Sequence, residues 1–316
     1  MPAPSLPVPL SGIVPPMVTP LTDRDTLDVE GVERLVEHLL AGGVHGIFIL
    51  GTTGEAPSLS YRLRRELIDL ACRQVAGRVP VLVGVTDSAF VETVNLACHA
   101  ADAGAQAVVL AAPYYFPASQ AELQEYLEDI VSELPLPMFL YNMPSHTKLS
   151  FEPETVRMAL ELPGVVGLKD SSAQMIYFHK IKALAAARPD FSLLVGPEEL
   201  LAESVLSGAH GGVCGGANLL PRLYVDLYEA AVAGDLDRIR PLHARVIRLG
   251  ETIYSVGQHR SAFIKGLKCA LSCLGICEDA MAEPFQRFRA AERERIQSHL
   301  LELGATASGP SLRKAR

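Results

Sequence analysis

Short apolar runs alternate with segments of helical periodicity along most of the chain. The runs occupy residues 12–20, 46–50, 79–85, 107–112, 137–142, 164–169, 191–196 and 210–216. Between the runs, apolar residues recur three and four positions apart, as Val32, Leu35 and Leu39 do. The runs show no regular polar alternation, which is typical of parallel strands covered on both faces. The pattern therefore predicts eight parallel strands separated by helices.

An α/β fold in which eight strand–helix units close on themselves is the (β/α)8 barrel, or TIM barrel. An open doubly wound sheet is the alternative, but no GxGxxG sequence follows the first strand. Beyond residue 218 the pattern is helical only, at 219–233, 236–254, 261–274 and 284–303. We interpret the first of these segments as the eighth barrel helix and the other three as an appendage.

The predicted division of the chain follows from this pattern. A lead at 1–11 precedes the barrel at 12–234, and the helical appendage occupies 235–303. The last segment, 304–316, is small, polar and basic, so we expect a disordered tail there.

Charge and apolar content narrow the class of partner. The chain has 316 residues and a formal net charge of −8, so nucleic acids and anionic membranes, which carry the same sign, are not expected partners. No stretch reaches the ~18 apolar residues of a membrane span, and the first residues lack the basic and apolar regions of a secretion signal. We expect a cytoplasmic protein that acts on a small molecule.

None of the six cysteines requires a disulfide, and the last three are expected to be packed thiols rather than metal ligands. Cys269, Cys273 and Cys277 recur every four residues on a predicted helix, with no histidine cluster nearby. Histidines elsewhere are predicted on helices or near helix ends rather than at a common rim, namely His38, His45, His99 and His179. The sequence therefore disfavours a metal-dependent barrel enzyme, and no metal is expected.

Candidate chemistry lies where the predicted strands end, because barrel enzymes carry their reacting groups at the carboxyl ends of the strands. Lys169 ends the sixth strand; taken alone, it would reach water or pair with Asp170. The second strand ends in GTTGE (51–55), whose successive N–H groups and two hydroxyls suit an anion, or else form an ordinary tight turn. Together, an amine and an anion nest indicate Schiff-base chemistry on a 2-oxo acid, with no further cofactor.

Two further strand ends carry groups with two interpretations each. Tyr141, which ends the fifth strand, is either a general acid/base beside the amine or a packing residue with a wet hydroxyl. Glu198 and Glu199 follow the seventh strand, and they either accept hydrogen bonds from substrate hydroxyls or are first-turn acids favoured by the helix dipole.

Four motifs at these strand ends resemble one known family. GTTGE, PYY (113–115), YNxP (141–144) and GLKD (167–170) are similar, in this order, to the dihydrodipicolinate synthase and N-acetylneuraminate lyase family of pyruvate-dependent class I lyases and aldolases. The similarity runs from about residue 12 to residue 274. It implies the same barrel and a covalent intermediate with pyruvate or a related 2-oxo acid.

The resemblance also implies roles for individual residues. Lys169 would form the Schiff base, Tyr141 would be the general acid/base, and Thr52 and Thr53, which follow Gly51, would hold the substrate carboxylate. Tyr115 would reach Thr52 from a neighbouring subunit, within a homotetramer built as a dimer of dimers. Further expected substrate-binding positions are Gly196 and Val213, the latter with its carbonyl beside the lysine.

Departures from the family pattern bear on the second substrate. Synthases that take aspartate semialdehyde carry arginine in YNxPxRTG, whereas this chain has His146 there and Lys148 in place of the glycine. An imidazole cannot reproduce a bidentate guanidinium. The Glu198–Glu199 segment instead resembles the Gly-x-Asp-Glu of sialic-acid lyases, which bind sugar hydroxyls.

We therefore expect a lyase or aldolase that joins a 2-oxo acid to an aldehyde, or cleaves a hydroxylated 2-oxo acid. The enzymatic alternatives are a 4-hydroxy-tetrahydrodipicolinate synthase and a 2-keto-3-deoxy sugar acid dehydratase. A 2-oxo-acid-binding protein without catalytic activity is the alternative from another class.

Overall fold

The computed structural model describes residues 6–257 and 259–305. Its main sheet contains eight parallel strands: β1 (Gly12–Ile13), β2 (Ile47–Ile49), β3 (Val81–Gly84), β4 (Ala107–Ala111), β5 (Met138–Asn142), β6 (Val165–Asp170), β7 (Ser192–Val195) and β8 (Gly211–Gly212). Neighbours in the chain pair from β2 to β8, and β8 pairs with β1. The sheet closes where the Phe48 amide donates to the Pro15 carbonyl at 3.0 Å and the Met17 amide donates to the Phe48 carbonyl at 2.8 Å. The predicted (β/α)8 barrel is confirmed.

Helices connect the strands on the outside of the barrel. They are α1 (Val29–Ala41), α2 (Tyr61–Val75), α3 (Phe90–Asp102), α4 (Gln120–Glu133), α5 (Pro153–Ala159), α6 (Met175–Ala185), α7 (Leu201–Leu206) and α8 (Pro221–Val232). At the start of several of these helices, a side chain accepts a hydrogen bond from a backbone amide of the first turn. The Asp28 carboxylate accepts from the Gly31 amide at 2.8 Å, and Ser119 with Glu122 forms the capping box predicted for α4.

Side chains from the strands pack into two cores. Phe48, Phe139 and Leu194 fill the inside of the barrel, while their chain neighbours face the helices. β6, however, contains a bulge opposite β5. Met138 pairs with Val165 and the next residue, Phe139, pairs with Gly167, so Val166 is an extra residue in β6. This bulge restores the alternation so that Gly167 faces Phe139 and Lys169 shares the inner side of the sheet with Tyr141.

Three helices follow the barrel, α9 (Leu236–Thr252), α10 (Ala262–Cys273) and α11 (Ala290–Glu302). The prediction that a helix begins near Pro284 is wrong, because 284–289 is not helical. The Glu292 carboxylate accepts from the Arg289 amide at 3.2 Å. This hydrogen bond caps a helix that begins at Ala290. Cys277 also lies beyond α10, so the three C-terminal thiols do not share a helix, and all six cysteines are free.

Some local structure was not predicted from the sequence. The first apolar run contains only a two-residue strand, followed by a hairpin of Leu21–Asp23 and Thr26–Leu27. A helical turn at Pro144–Thr147 follows β5, and Glu198–Leu200 is a 3-10 turn ahead of α7.

No helix in the described ranges is both long and apolar enough to cross a membrane. The first five residues of the predicted lead, and most of the predicted tail from residue 306 onward, lie outside the described residues.

Candidate active site

Lys169 and Tyr141 lie side by side inside the barrel, on the paired strands β6 and β5. The Lys169 Nζ is 4.0 Å from the centre of the Tyr141 ring and 5.1 Å from the centre of the Phe48 ring. Lys169 is only 5% exposed, so its amine does not extend into water. Nor does it pair with Asp170, whose carboxylate accepts instead from Asn142 and Ser172 at 2.9 to 3.0 Å. The amine is therefore held among aromatic rings rather than at the surface.

The GTTGE loop brings a hydroxyl to this pair. Thr52 Oγ1 lies 3.2 Å from the Tyr141 hydroxyl, and either group can be the donor. Thr53, the next residue, is buried. The loop follows β2 closely, and a Cβ on Gly51 would come within 2.7 Å of the Phe48 ring. The structure thus joins three sequence-predicted residues, Thr52, Tyr141 and Lys169, through one chain of contacts.

A cavity of about 420 Å³ opens beside these residues. Gly51, Thr52, Tyr141 and His146 are among the residues that line it. Further lining residues are Phe48, Thr86, Tyr114, Arg260 and Ile264. Its volume lies within the range of small-molecule sites, so the cavity has room for a short 2-oxo acid and a second substrate.

The two acids after β7 lie in different surroundings. Glu198 is buried, and its carboxylate accepts from the Tyr224 hydroxyl at 2.7 Å, the Tyr254 hydroxyl at 2.8 Å and the Gly216 amide at 2.8 Å. Burial raises the pKa of Glu198 to about 6. Glu199 is exposed. The structure does not bring either acid to the cavity wall beside Tyr141, and their role toward substrate hydroxyls stays a prediction.

Gly196 and Val213 lie at the ends of β7 and β8. The Gly196 amide donates to the Asp170 carbonyl at 2.7 Å, and a Cβ at Gly196 would lie 1.9 Å from the Ser171 hydroxyl. Val213 is buried in the same inner core as Tyr141. Gly196 thus borders β6, the strand that carries Lys169, and Val213 lies in the barrel interior. Contact of either residue with substrate stays a prediction.

Tyr115 lies outside this cluster. Its side chain is 77% exposed and that of Phe116 is 78% exposed, with the two ring centres 5.2 Å apart. Within one chain Tyr115 is an exposed surface residue, which is compatible with the expected reach into another subunit.

The turn after β5 contains Lys148, which stands where the family pattern has glycine. Lys148 has φ +62°, a conformation that glycine adopts without strain and other residues rarely adopt. Its Nζ donates to the Ser145 carbonyl at 2.7 Å, so the ammonium is bonded within its own turn. Partial burial and the charge of Lys148 lower the pKa of His146, which therefore presents a neutral imidazole to the cavity at neutral pH.

Sequence reasoning missed the contribution of the appendage to the cavity. Arg260, Ser261 and Ile264 line it, although they lie in the helical appendage, where no site residue was predicted. No motif marks these positions, because their proximity to Thr52 arises only when the appendage folds against the barrel.

A metal centre finds no support in the described part of the chain, where no three histidine, cysteine, aspartate or glutamate side chains are grouped to hold an ion. The residues grouped here are instead the Lys169 amine, the Tyr141 phenol and the Thr52 hydroxyl, of which Tyr141 and Thr52 line the cavity. This donor set suits covalent and proton-transfer chemistry.

Known proteins are similar to this chain over nearly its whole length. A model of the dihydrodipicolinate synthetase family matches residues 9–303. A 4-hydroxy-tetrahydrodipicolinate synthase of Methanopyrus kandleri is 32% identical over 306 residues, which are 95% of this chain and 98% of that protein. YjhH of Escherichia coli, a probable 2-dehydro-3-deoxy-D-pentonate aldolase, is 33% identical over 293 residues, which are 92% of this chain and 96% of that protein.

Solved structures agree with the sequence comparison. The dihydrodipicolinate synthase of Bacteroides thetaiotaomicron matches with a TM-score of 0.92 and 58% identity, over 93% of this chain and 99% of that one. YagE of Escherichia coli, solved in complex with pyruvate, matches with a TM-score of 0.87 and 28% identity, over 93% and 99% of the two chains. We conclude that the chain belongs to the dihydrodipicolinate synthetase family and is an enzyme of the lyase type.

Proposed function

We propose that this protein is a class I aldolase or lyase that forms a Schiff base between Lys169 and pyruvate or a related 2-oxo acid. It then forms or cleaves a C–C bond to an aldehyde. The observation that carries the proposal is the Lys169 amine 4.0 Å from the centre of the Tyr141 ring, whose hydroxyl lies 3.2 Å from Thr52. Among its relatives, YagE has been solved with pyruvate.

The chemistry proceeds in balanced steps. The neutral Lys169 amine adds to the keto carbon, and the resulting carbinolamine loses water to become an iminium. Loss of a proton from the adjacent carbon gives an enamine, which attacks the aldehyde carbon as the aldehyde oxygen takes up a proton. Hydrolysis of the new iminium then releases product and restores the amine. Cleavage is the reverse sequence, and Tyr141 carries the protons while the amides and hydroxyls of Thr52 and Thr53 hold the carboxylate.

Borohydride trapping tests this proposal. We expect the protein, mixed with pyruvate and borohydride, to acquire a reduced pyruvyl adduct that peptide mass spectrometry maps to Lys169. Lys169→Ala should abolish the adduct. Lys148→Ala is the matched control, because that lysine is exposed at the turn beside the cavity and should not affect trapping. No adduct in the wild type, or an adduct that survives Lys169→Ala, would contradict the proposal.

We propose a hydroxylated 2-oxo acid as the substrate, since a neutral His146 in the cavity lining suits hydroxyl groups better than a second carboxylate. The second candidate is condensation of pyruvate with aspartate semialdehyde, and the guanidinium of Arg260 in the cavity wall favours it. A panel of neutral hydroxyaldehydes and anionic aldehydes separates the two. If kcat/KM is higher for the anionic aldehydes and falls with Arg260→Met, the synthase activity is supported; the opposite preference supports the aldolase.

Product analysis addresses the remaining alternatives. Cleavage of a 2-keto-3-deoxy sugar acid releases pyruvate, whereas dehydration releases water and keeps the carbon chain intact. Adduct formation with pyruvate but no turnover of any aldehyde or sugar acid would favour a protein that only binds 2-oxo acids. A cytoplasmic location stays a prediction from the sequence, which shows neither a secretion-signal pattern in its first residues nor an apolar stretch of membrane-span length.

We also propose that the enzyme works as a homotetramer in which Tyr115 of one subunit approaches Thr52 of another. The exposed aromatic side chains of Tyr115 and Phe116 support an interface at this loop. Tyr115→Ala combined with Phe116→Ala should shift sedimentation toward smaller species and lower kcat. Ile176→Ala, a change at an equally exposed apolar residue on α6, is the control. Unchanged sedimentation of the double variant would argue against this interface.

A further inference from the structure

A buried ion pair joins the GTTGE loop to the C-terminal helices. The Glu55 Oε1 lies 2.7 Å from the Lys268 Nζ, and the two side chains are 2% and 0% exposed. Glu55 is the last residue of the loop, and Lys268 lies in the middle of α10. A buried charge that loses its partner is strongly unfavourable, so each of these residues depends on the other.

The same carboxylate holds a second segment of the appendage. Glu55 Oε2 accepts from the Ala282 amide at 2.9 Å. One side chain of the barrel loop therefore binds both α10 and the segment that follows it. Neither contact takes part in the chemistry proposed for Lys169 and Tyr141, and neither was predicted from the sequence.

The loop needs external restraints because of its backbone conformation. Leu50 and Glu55, on either side of Thr52 and Thr53, both have φ +57°, which is rare for residues with a side chain. The Gly54 carbonyl accepts from the Thr19 hydroxyl at 2.7 Å, which restrains the loop from the barrel side. The Glu55 carboxylate restrains it from the appendage side.

We infer that Glu55 and Lys268 are positioning residues that set the orientation of the Thr52–Thr53 anion nest, which makes the C-terminal helices part of the 2-oxo-acid site. The start of α10 already reaches the cavity, since Ser261 and Ile264 line it. The inference rests on the proposed function for its kinetic consequence. Its structural content, that the appendage holds the loop, is independent of that function.

Hydrogen exchange and pyruvate kinetics test the inference with Glu55→Gln and Lys268→Met. We expect faster amide exchange in the peptide covering residues 50–56 in both variants. We also expect a KM for pyruvate raised by about 10- to 100-fold with a smaller change in kcat, because a displaced nest binds the carboxylate less well.

Arg293→Met is the matched control for loss of an ion pair in the appendage. The Arg293 Nη1 lies 2.8 Å from the Asp279 carboxylate and Nη2 donates to Ser272, so this pair ties elements of the appendage to each other and not to the loop. The variant should unfold at lower denaturant concentration, yet retain wild-type exchange at 50–56 and a wild-type KM.

A double variant, Glu55→Gln with Lys268→Met, separates positioning from stability. It removes both charges, so no unpaired charge stays buried and the unfolding midpoint should recover relative to the single variants. Exchange at 50–56 and the pyruvate KM should stay raised. A KM that follows the unfolding midpoint across all four variants, or that returns to the wild-type value in the double variant, would overturn the inference.

The outcomes also distinguish this inference from the proposed function. Wild-type protein that forms no borohydride-trapped adduct refutes the Schiff-base function, while the exchange measurement still tests the tie between loop and appendage. Normal trapping in the wild type, with unchanged exchange and KM in the variants, refutes the inference alone.

Discussion

At the scale of single residues, the site depends on a phenol in contact with both an amine and a hydroxyl. Tyr141 covers the Lys169 amine with its ring and meets Thr52 Oγ1 with its own hydroxyl at 3.2 Å. The ring orients the amine by packing, whereas the hydroxyl alone can carry a proton. Removing only the hydroxyl therefore separates these two contributions.

Tyr141→Phe should lower kcat by about 10²- to 10⁴-fold, the usual contribution of one acid/base group, while the fold and the packing of Lys169 persist. The measurement is steady-state turnover with the best aldehyde or sugar acid found in the panel. Tyr177→Phe is the control, because that hydroxyl donates to the Phe151 carbonyl at 2.7 Å on the helix side of the barrel and should not change kcat. Wild-type turnover in Tyr141→Phe would remove Tyr141 from the mechanism.

At the scale of elements, the bulge in β6 determines which side of the sheet Lys169 occupies. Gly167 stands opposite Phe139, and a Cβ there would approach the Phe139 ring at 2.4 Å and the Ser192 carbonyl at 2.7 Å. The glycine is required because its neighbours leave no space, not because of its backbone angles. Two residues further along the strand, the same alternation directs Lys169 toward Tyr141.

Gly167→Ala should lower the free energy of unfolding by about 1–3 kcal/mol, because overpacking displaces the Phe139 ring or the neighbouring strand. Gly250→Ala in α9 is the opposite case, since a Cβ there meets its nearest atom only at 3.8 Å. It should raise the free energy of unfolding by about 0.4–1 kcal/mol by restricting the unfolded chain. Equilibrium urea unfolding checks both signs, and a stabilised Gly167→Ala protein would contradict the packing argument.

At the scale of the whole molecule, histidines at the start of the strands link neighbours around the barrel. The Nδ1 of His45 accepts from the Ile13 amide at 3.1 Å, and the Nδ1 of His210 accepts from the Leu193 amide at 3.0 Å. Burial lowers the pKa of both imidazoles, with the charge of Arg222 acting in the same direction on His45 and that of Glu229 opposing it. A protonated imidazole has no free lone pair, so each acceptor is lost on protonation.

Barrel stability should accordingly fall on acidification. A histidine with a lowered pKa contributes stability that is present above its unfolded pKa, about 6.5, and that is lost as the pH falls through the folded pKa. The urea midpoint should therefore decrease from pH 7 toward pH 5. His45→Asn combined with His210→Asn, which keeps an acceptor that does not titrate, should flatten this dependence.

Glu198 acts in the opposite direction, since its pKa is raised to about 6 and its destabilising effect is relieved as the pH falls. Glu198 is present in both the wild type and the double histidine variant. The difference between the two proteins in how the urea midpoint changes with pH therefore isolates the contribution of His45 and His210. Equal slopes would show that the imidazoles do not contribute.

Much of the fold and the core of the site could be predicted because both follow from local patterns. Apolar runs with turn residues mark the strands, and the rule that parallel strands end on one rim brings Thr52, Tyr141 and Lys169 together. The start of α11 was predicted too early at Pro284, because an apolar periodicity does not reveal where the backbone first becomes helical. Arg260 and the Glu55–Lys268 pair were not predicted at all.

The sequence by itself determined the number and order of the strands, the residues at their ends and the family, since each of these depends on neighbours in the chain. Tertiary structure decided what those residues contact. It turned the Glu198 carboxylate toward Tyr224 and Tyr254, and it brought Lys268 to Glu55. Contacts between segments so far apart leave no periodic trace, because the free energy of each depends on the packing of the whole barrel against its appendage.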